Sequence, residues 1–384
     1  MYDFDRRIER RSTDSTKWRR YGDDVLPLWV ADMDFMAPEP ILRALRERVD
    51  HGIFGYGSPP RELSEVVVAR LHERYGWQVT TEDVVYFPGV IAGFNLACHA
   101  IAGPGEGVLF QTPVYFPIPK APALTGRAAQ QMELTREADG HYAIDFDRFE
   151  QAISEQTRLF ILCNPHNPVG RVFHRAELEW LAESCLRHDV TICADEIHCD
   201  LVYPGHHHIP IASLAPEIAN RTITLMAPSK TFNIAGLQCS VAIIQNPTLR
   251  RAMTHIHTGL VHGMNVMGYT AALAGYREGQ PWLDAVLQYL ASNRNFLYNY
   301  VNTNLPGVTM SKPEGTYLAW LDCREAGIPG NPYEFFLREA RVALNDGVTF
   351  GQGGEGFVRL NFACPRAILE EALDRMRAAL LVLA

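Results

Sequence analysis

The chain has 384 residues, enough for two to three domains, and its 47% hydrophobic and 21% charged content is that of a globular protein with a sizeable core. A net charge of −9 lacks the basic excess of a general nucleic-acid binder. No apolar run is long enough to span a bilayer, and the opening MYDFDRRIERRSTDSTKW has no signal-peptide stretch, so a cytoplasmic protein with no membrane or nucleic-acid partner is expected.

In chain order, periodicity assigns residues 1–45 to neither domain; they are expected to form an N-terminal arm and part of a small domain. Residues 61–75 carry apolar positions at helical spacing, and 91–101 form a second predicted helix. GVLFQ (107–111), RLFILC (158–163), VTICADE (190–196), RTITLMA (221–227) and CSVAIIQ (239–245) are short apolar runs that read as buried strands. RAELEWLAESCLRHD (175–189) is an amphipathic helix between two of them. Such alternation predicts an α/β fold with a mostly parallel sheet covered on both faces, here a large domain over 46–280. Residues 281–384 read differently. A long helix (281–304), YLAWLDC (317–323), a helix near 332–342, FVRLNFA (357–363) and a final helix from Pro365 predict a smaller α+β domain. The eight cysteines form no C-x-x-C pair and are expected to be reduced, buried thiols; no metal site is expected from their spacing.

The informative residues follow predicted strand ends, where open α/β sheets bind ligands. Lys230 lies just beyond RTITLMA. A lysine in a dry pocket has a lowered pKa and a neutral amine that can attack an aldehyde; the plainer reading is a solvated surface group. Asp195 sits at the carboxyl end of the strand VTICADE, and a carboxylate there can hold a protonated pyridine nitrogen; a helix cap or a metal ligand is the alternative. NPHNPVG (164–170) follows RLFILC and is at the least a good turn, in which Asn167 can donate to a phenolate oxygen. In FPGVIAGF (87–94) a glycine precedes a helix start, whose free N–H groups suit a phosphate. Tyr115 in TPVYF can stack on a ring, or simply sit at a core rim.

Together, in this order, these segments resemble the fold-type I enzymes of pyridoxal 5′-phosphate (PLP), the aspartate aminotransferase superfamily. The likeness is nearest to the MalY/PatB-type C–S lyases, cystathionine β-lyases that also act on other cysteine S-conjugates. It is carried by LPLWVADMDF (26–35), IFGYG (53–57), PGV (88–90), PVYFP (113–117), NPHNPVGRVF (164–173), ADEIHCDLVYPGHHHIP (194–210), PSKTFNIAGLQ (228–238) and RLNFACPR (359–366). The resemblance implies a PLP-dependent transferase-like large domain with a smaller α+β domain. It makes Lys230 the Schiff-base lysine and proton shuttle, Asp195 the partner of the ring nitrogen, Asn167 that of the ring oxygen and Tyr115 the stacking residue. Gly89, Val90, Ile91 and Ser229 would take the phosphate, with Asn164 and His198 among the cofactor contacts. Tyr56 would reach the phosphate of a neighbouring subunit, which requires a homodimer. Arg359 would bind the substrate α-carboxylate. Strand alternation agrees with that last role, since Arg359 points away from Val358, Leu360 and Phe362; a solvated strand arginine is the plainer alternative.

Three departures from the usual aminotransferase pattern bear on the reaction. Gln238 stands where an arginine normally pairs with the phosphate, His198 where a tyrosine is common, and Ala227 where many relatives have serine. They fit the C–S lyase branch. The expected activity is therefore α,β-elimination from cystathionine or another cysteine S-conjugate, giving a thiol, pyruvate and ammonia. An aminotransferase, a regulatory protein that binds a transcriptional activator, and a metal site built from Asp195, His198, Asp200 and His206 to His208 are the competing readings.

Overall fold

Seven strands build the central sheet: β1 (Val84–Phe87), β2 (Gly107–Thr112), β3 (Ala128–Glu133), β4 (Thr157–Cys163), β5 (Thr191–Asp195), β6 (Thr222–Met226) and β7 (Ser240–Ile243). Their order is β1-β7-β6-β5-β4-β2-β3, and only β7 runs antiparallel to its neighbours. The structure, a computed structural model, describes residues 2–261 and 263–383. The apolar runs are continuous because both sheet faces are covered. Along β4, Leu159, Ile161 and Cys163 enter one core with Phe94 of the helix Val90–Ile101, while Phe160 and Leu162 enter another with Leu178 and Leu181 of the helix Arg175–Arg187.

Two strands of this central sheet escape the sequence reading. AAQQME forms the edge strand β3 and buries only Met132, so it has no apolar signature. VVYF is β1 at the opposite edge. The helix expected near 332–342 is shorter: Pro332–Phe335 continues into one wide π-type turn over Phe336–Ala340. Arg341 then adopts a left-handed conformation (φ 53°), which terminates helices, and Val342–Ala343 leaves as a strand.

A second sheet comprises β8 (Leu318–Asp322), β9 (Asn345–Asp346) and β10 (Phe357–Asn361), all antiparallel in the order β8-β10-β9. Arg359 lies in its central strand, between Trp320 and Asn345. The N-terminal segment packs on this side of the molecule. Leu26–Pro27 pairs in parallel with Val342–Ala343, and Phe4, Trp18 and Leu28 share a core with Phe336, Leu360 and Leu373. The following WVADMDF belongs to no helix or strand and is pinned from both sides. Asn361 Nδ2 donates to Val30 O (2.7 Å) and Asp32 O (2.9 Å), and Asn233 Nδ2 donates to Met33 O (3.0 Å) and Phe35 O (2.8 Å). Buried Lys17 completes the anchor by donating to Asp34 Oδ2 at 2.7 Å. Among the described residues no helix is long and apolar enough to cross a membrane. All eight cysteines are buried and free.

Candidate active site

Five strands deliver chemistry at their carboxyl ends. β1 leads to Gly89, β2 to Tyr115, β4 to Asn167, β5 ends on Asp195, and β6 leads to Ser229 and Lys230 on the single turn Pro228–Thr231. One cavity is lined by Gly89, Val90, Ile91, Tyr115, Asn167, Asp195, His198, Ser229 and Lys230, together with Arg359 from the second sheet. Tyr115 N–H donates to Asn167 O at 3.0 Å, so the turns after β2 and β4 fix one another.

The charges of this cavity are set by burial. Asp195 is buried and accepts one hydrogen bond, from Ile197 N–H at 3.2 Å; burial pushes its carboxyl up to about 7. Lys230 Nζ donates to Ala31 O at 2.6 Å, and loss of solvent around the ammonium brings it down to about 8. Burial, reinforced by the positive charges of Lys230 and Arg359, holds His198 down to about 3 and therefore neutral. Arg359 donates to Asn167 Oδ1 (2.8 Å), Trp29 O (3.0 Å) and Asn345 Oδ1. Burial lowers Arg359 only to about 10, so it stays charged at neutral pH. It is buried, not the solvated strand arginine of the plainer reading.

Two predicted residues lie outside this cluster. Asn164 is fully buried behind it, where Oδ1 accepts from Phe173 N–H at 3.0 Å, and it does not line the cavity. Two Asn-Pro pairs occur in NPHNPVG, and the backbone turns only the second asparagine toward the pocket. Tyr56 is fully exposed and also does not line it. Conversely, Trp29, Val30, Ala31, Ile197 and Asn345 line the cavity without having been singled out. The motif LPLWVADMDF was the available signal for the first three, but periodicity says nothing about an irregular segment held by tertiary hydrogen bonds.

Residues of the metal reading have other partners in this structure. Asp200 is held by Arg70 (2.7 Å) and Arg74 (3.2 Å), and His208 Nε2 contacts Glu196 Oε2 at 2.8 Å. Among the described residues no group of three or more ligating side chains converges.

The family described as aminotransferase class I and II matches residues 23–376. The chain belongs to that family. Its mostly parallel sheet, covered by helices and joined to a smaller sheet, is the fold of its relatives. This aminotransferase-family chain is 44% identical to the cystathionine β-lyase PatB of Bacillus subtilis, over 98% of its own length and 99% of PatB. It is 46% identical to OvoB, whose crystal structure superposes with a TM-score of 0.94 over 99% of each chain. Cystalysin from Treponema denticola, crystallised with a pyridoxal 5′-phosphate cofactor, is 33% identical with a TM-score of 0.96 over 100% of both chains.

The cavity of this family member fits such a cofactor on its own chemistry. The helix Val90–Ile101 starts at Gly89 with no side-chain cap, leaving its first N–H groups for an anion. A Cβ placed on Gly89 would meet no atom within 4 Å, so only a glycine leaves that space entirely open. His198 Nδ1 and Arg359 Nε are buried without partners among the described residues, although buried polar groups in folded proteins normally find one. An amine, a buried carboxyl and an uncapped helix start meet in one cavity, matching an aldehyde, a pyridine nitrogen and a phosphate.

Proposed function

We propose that the chain is a PLP-dependent carbon–sulfur β-lyase that converts cysteine S-conjugates, with one water, into a thiol, pyruvate and ammonium. The reading is carried by the meeting of Lys230, Asp195, Asn167 and Arg359 in one cavity. Full-length similarity to a protein named cystathionine β-lyase supports elimination over transamination. The eight buried free cysteines suit a reducing, cytoplasmic setting.

In this reading Asp195 holds the ring nitrogen and Asn167 the ring oxygen. The N–H groups of Gly89, Val90 and Ile91 and the Ser229 hydroxyl take the phosphate, and Tyr115 and Ile197 offer apolar surface to the ring. Bound PLP supplies the electron sink for the pair left at the substrate Cα. Arg359, charged and anchored by Asn167 and Trp29 O, orients the α-carboxylate. Lys230 would take the Cα proton as a neutral amine, the form that burial favours by bringing its ammonium down to about 8. His198, near 3, is too weak a base to compete. The Cβ–S bond then breaks with its electrons leaving on sulfur. Purified protein supplied with PLP and a cysteine S-conjugate is expected to release pyruvate and thiol one for one without any keto-acid acceptor. Strict dependence on a keto acid would make it an aminotransferase instead.

The active unit is proposed to be a homodimer with shared sites. Residues 52–59 are exposed throughout, including Ile53, Phe54 and Tyr56, an apolar segment that a second copy would cover. Tyr56 would then reach the phosphate bound in the neighbouring subunit. Tyr56→Phe is expected to bind PLP about tenfold more weakly, the effect of losing one hydrogen bond to a charged acceptor. Hybrids of Tyr56→Phe with Lys230→Ala should regain wild-type PLP affinity at one of their two sites, measured by titration after mixed reassociation. An active monomer in sedimentation, or unchanged affinity in Tyr56→Phe, would rule out the shared site.

A further inference from the structure

The charge inventory of the cavity limits what can leave as the thiol. Among its described lining residues only Asp195, Lys230 and Arg359 can carry charge near neutral pH, since His198 is held neutral and burial pushes Tyr115, Cys163 and Cys239 up. Under the lyase reading all three are committed, to the ring nitrogen, the cofactor carbon and the α-carboxylate. The remaining wall includes Trp29, Val30, Ile91 and Phe116, with Asn345 as a polar group already accepting from Arg359. A second copy that closed the mouth with residues 52–60 would add Ile53, Phe54 and Tyr56 and no charge, because GIFGYGSPP contains no ionisable group but the tyrosine.

Cystathionine places a second amino-acid zwitterion beyond its sulfur. That ammonium and carboxylate would lose water on entry and find no buried counter-charge. An uncharged alkyl or aryl group would instead gain contact with the apolar wall. We propose that this site selects cysteine S-conjugates whose sulfur substituent is uncharged and apolar, in preference to cystathionine. The inference rests on the lyase reading and narrows its substrate class.

Asp32, whose charge acts on Lys230, is paired with Arg10 and does not line the cavity, and two cations outside it also bear on the selectivity. Arg20 lies 4.9 Å from the ring centroid of Trp29, and Lys120 lies 5.6 Å from that of Phe116. Both are exposed and neither lines the cavity, so water and salt screen them from a group inside.

The test compares pyruvate release by the PLP-loaded wild-type protein from S-ethyl-L-cysteine, S-benzyl-L-cysteine, S-carboxymethyl-L-cysteine and L-cystathionine. The kcat/KM for S-benzyl-L-cysteine is expected to exceed that for cystathionine by about tenfold or more, with S-carboxymethyl-L-cysteine also disfavoured. Arg20→Ala and Lys120→Ala should leave that ratio unchanged. Cystathionine turned over as well as or better than the benzyl conjugate overturns the selectivity while leaving the lyase reading intact. A preference for the carboxymethyl conjugate that falls in Arg20→Ala or Lys120→Ala shows a cationic rim acting on the leaving group and also overturns it. No pyruvate from any of the four removes the lyase reading itself, and the inference with it.

Discussion

Lys230→Ala is expected to lower pyruvate release by at least about 10⁴-fold, because one side chain serves both as the covalent attachment point and as the base at Cα. Borohydride reduction of the wild-type holoprotein should fix PLP on Lys230, and peptide mass spectrometry should find the label nowhere else. The chain makes this test clean, since it has only four lysines: Lys17, Lys120, Lys230 and Lys312. Lys17 is buried against Asp34, Lys120 and Lys312 are exposed, and Lys230 alone lines the cavity. Its pH behaviour follows from burial. An amine lowered to about 8 is mostly protonated at pH 7 and mostly neutral at pH 9. The rate at which cofactor-free protein captures PLP should therefore rise through about pH 8. A rise placed near the ordinary lysine value of 10.5 would mean that the amine is solvated. A label on another lysine would remove the central assignment altogether.

Some of this architecture is legible in the sequence because burial writes a pattern. β4 is apolar from Leu159 to Cys163 and β5 from Ile192 to Ala194 since each face meets a different core, and Asp195 stands out by ending such a run. Arg359 shows itself by interrupting an alternation whose other side is wholly apolar. β3 leaves no such trace: an edge strand with one buried side chain looks like a loop. The wall formed by Trp29, Val30 and Ala31 is equally silent. It is positioned by Asn361, Asn233 and the Lys17–Asp34 pair, partners up to about 330 residues away along the chain. Its functional atoms are backbone carbonyls, which any residue supplies: Ala31 O accepts from both Lys230 Nζ and Tyr317 O–H, and Trp29 O accepts from Arg359. Motif likeness, not periodicity, was the only sign of it. The two asparagines of NPHNPVG make the same point at smaller scale, because residue type is identical and only the turn decides which one meets Arg359.

Asp195→Asn is expected to change activity and stability in opposite directions. In the PLP-loaded protein the carboxylate keeps the ring nitrogen protonated, and a neutral amide cannot, so turnover at full PLP occupancy should fall by about 100-fold or more. Without cofactor the same carboxylate is a burden. Its pKa rises from 3.8 to about 7 through burial, with the neighbouring Glu196 adding to the rise. The folded state thus holds a proton that the unfolded chain releases near pH 4. Between those values the folded state binds more protons, so stability falls as pH rises, and the loss is complete above about 7. For a shift of this size the loss reaches at most about 4 kcal/mol. Urea unfolding of cofactor-free protein between pH 5 and 8 should show this decline in wild type and a flatter profile in Asp195→Asn, which becomes the more stable of the two at pH 8. PLP binding should remove the wild-type decline, because a protonated ring nitrogen beside Asp195 favours the ionised carboxylate. A variant that turns over normally at full occupancy would show that Asp195 does not hold the ring, whatever its effect on the fold.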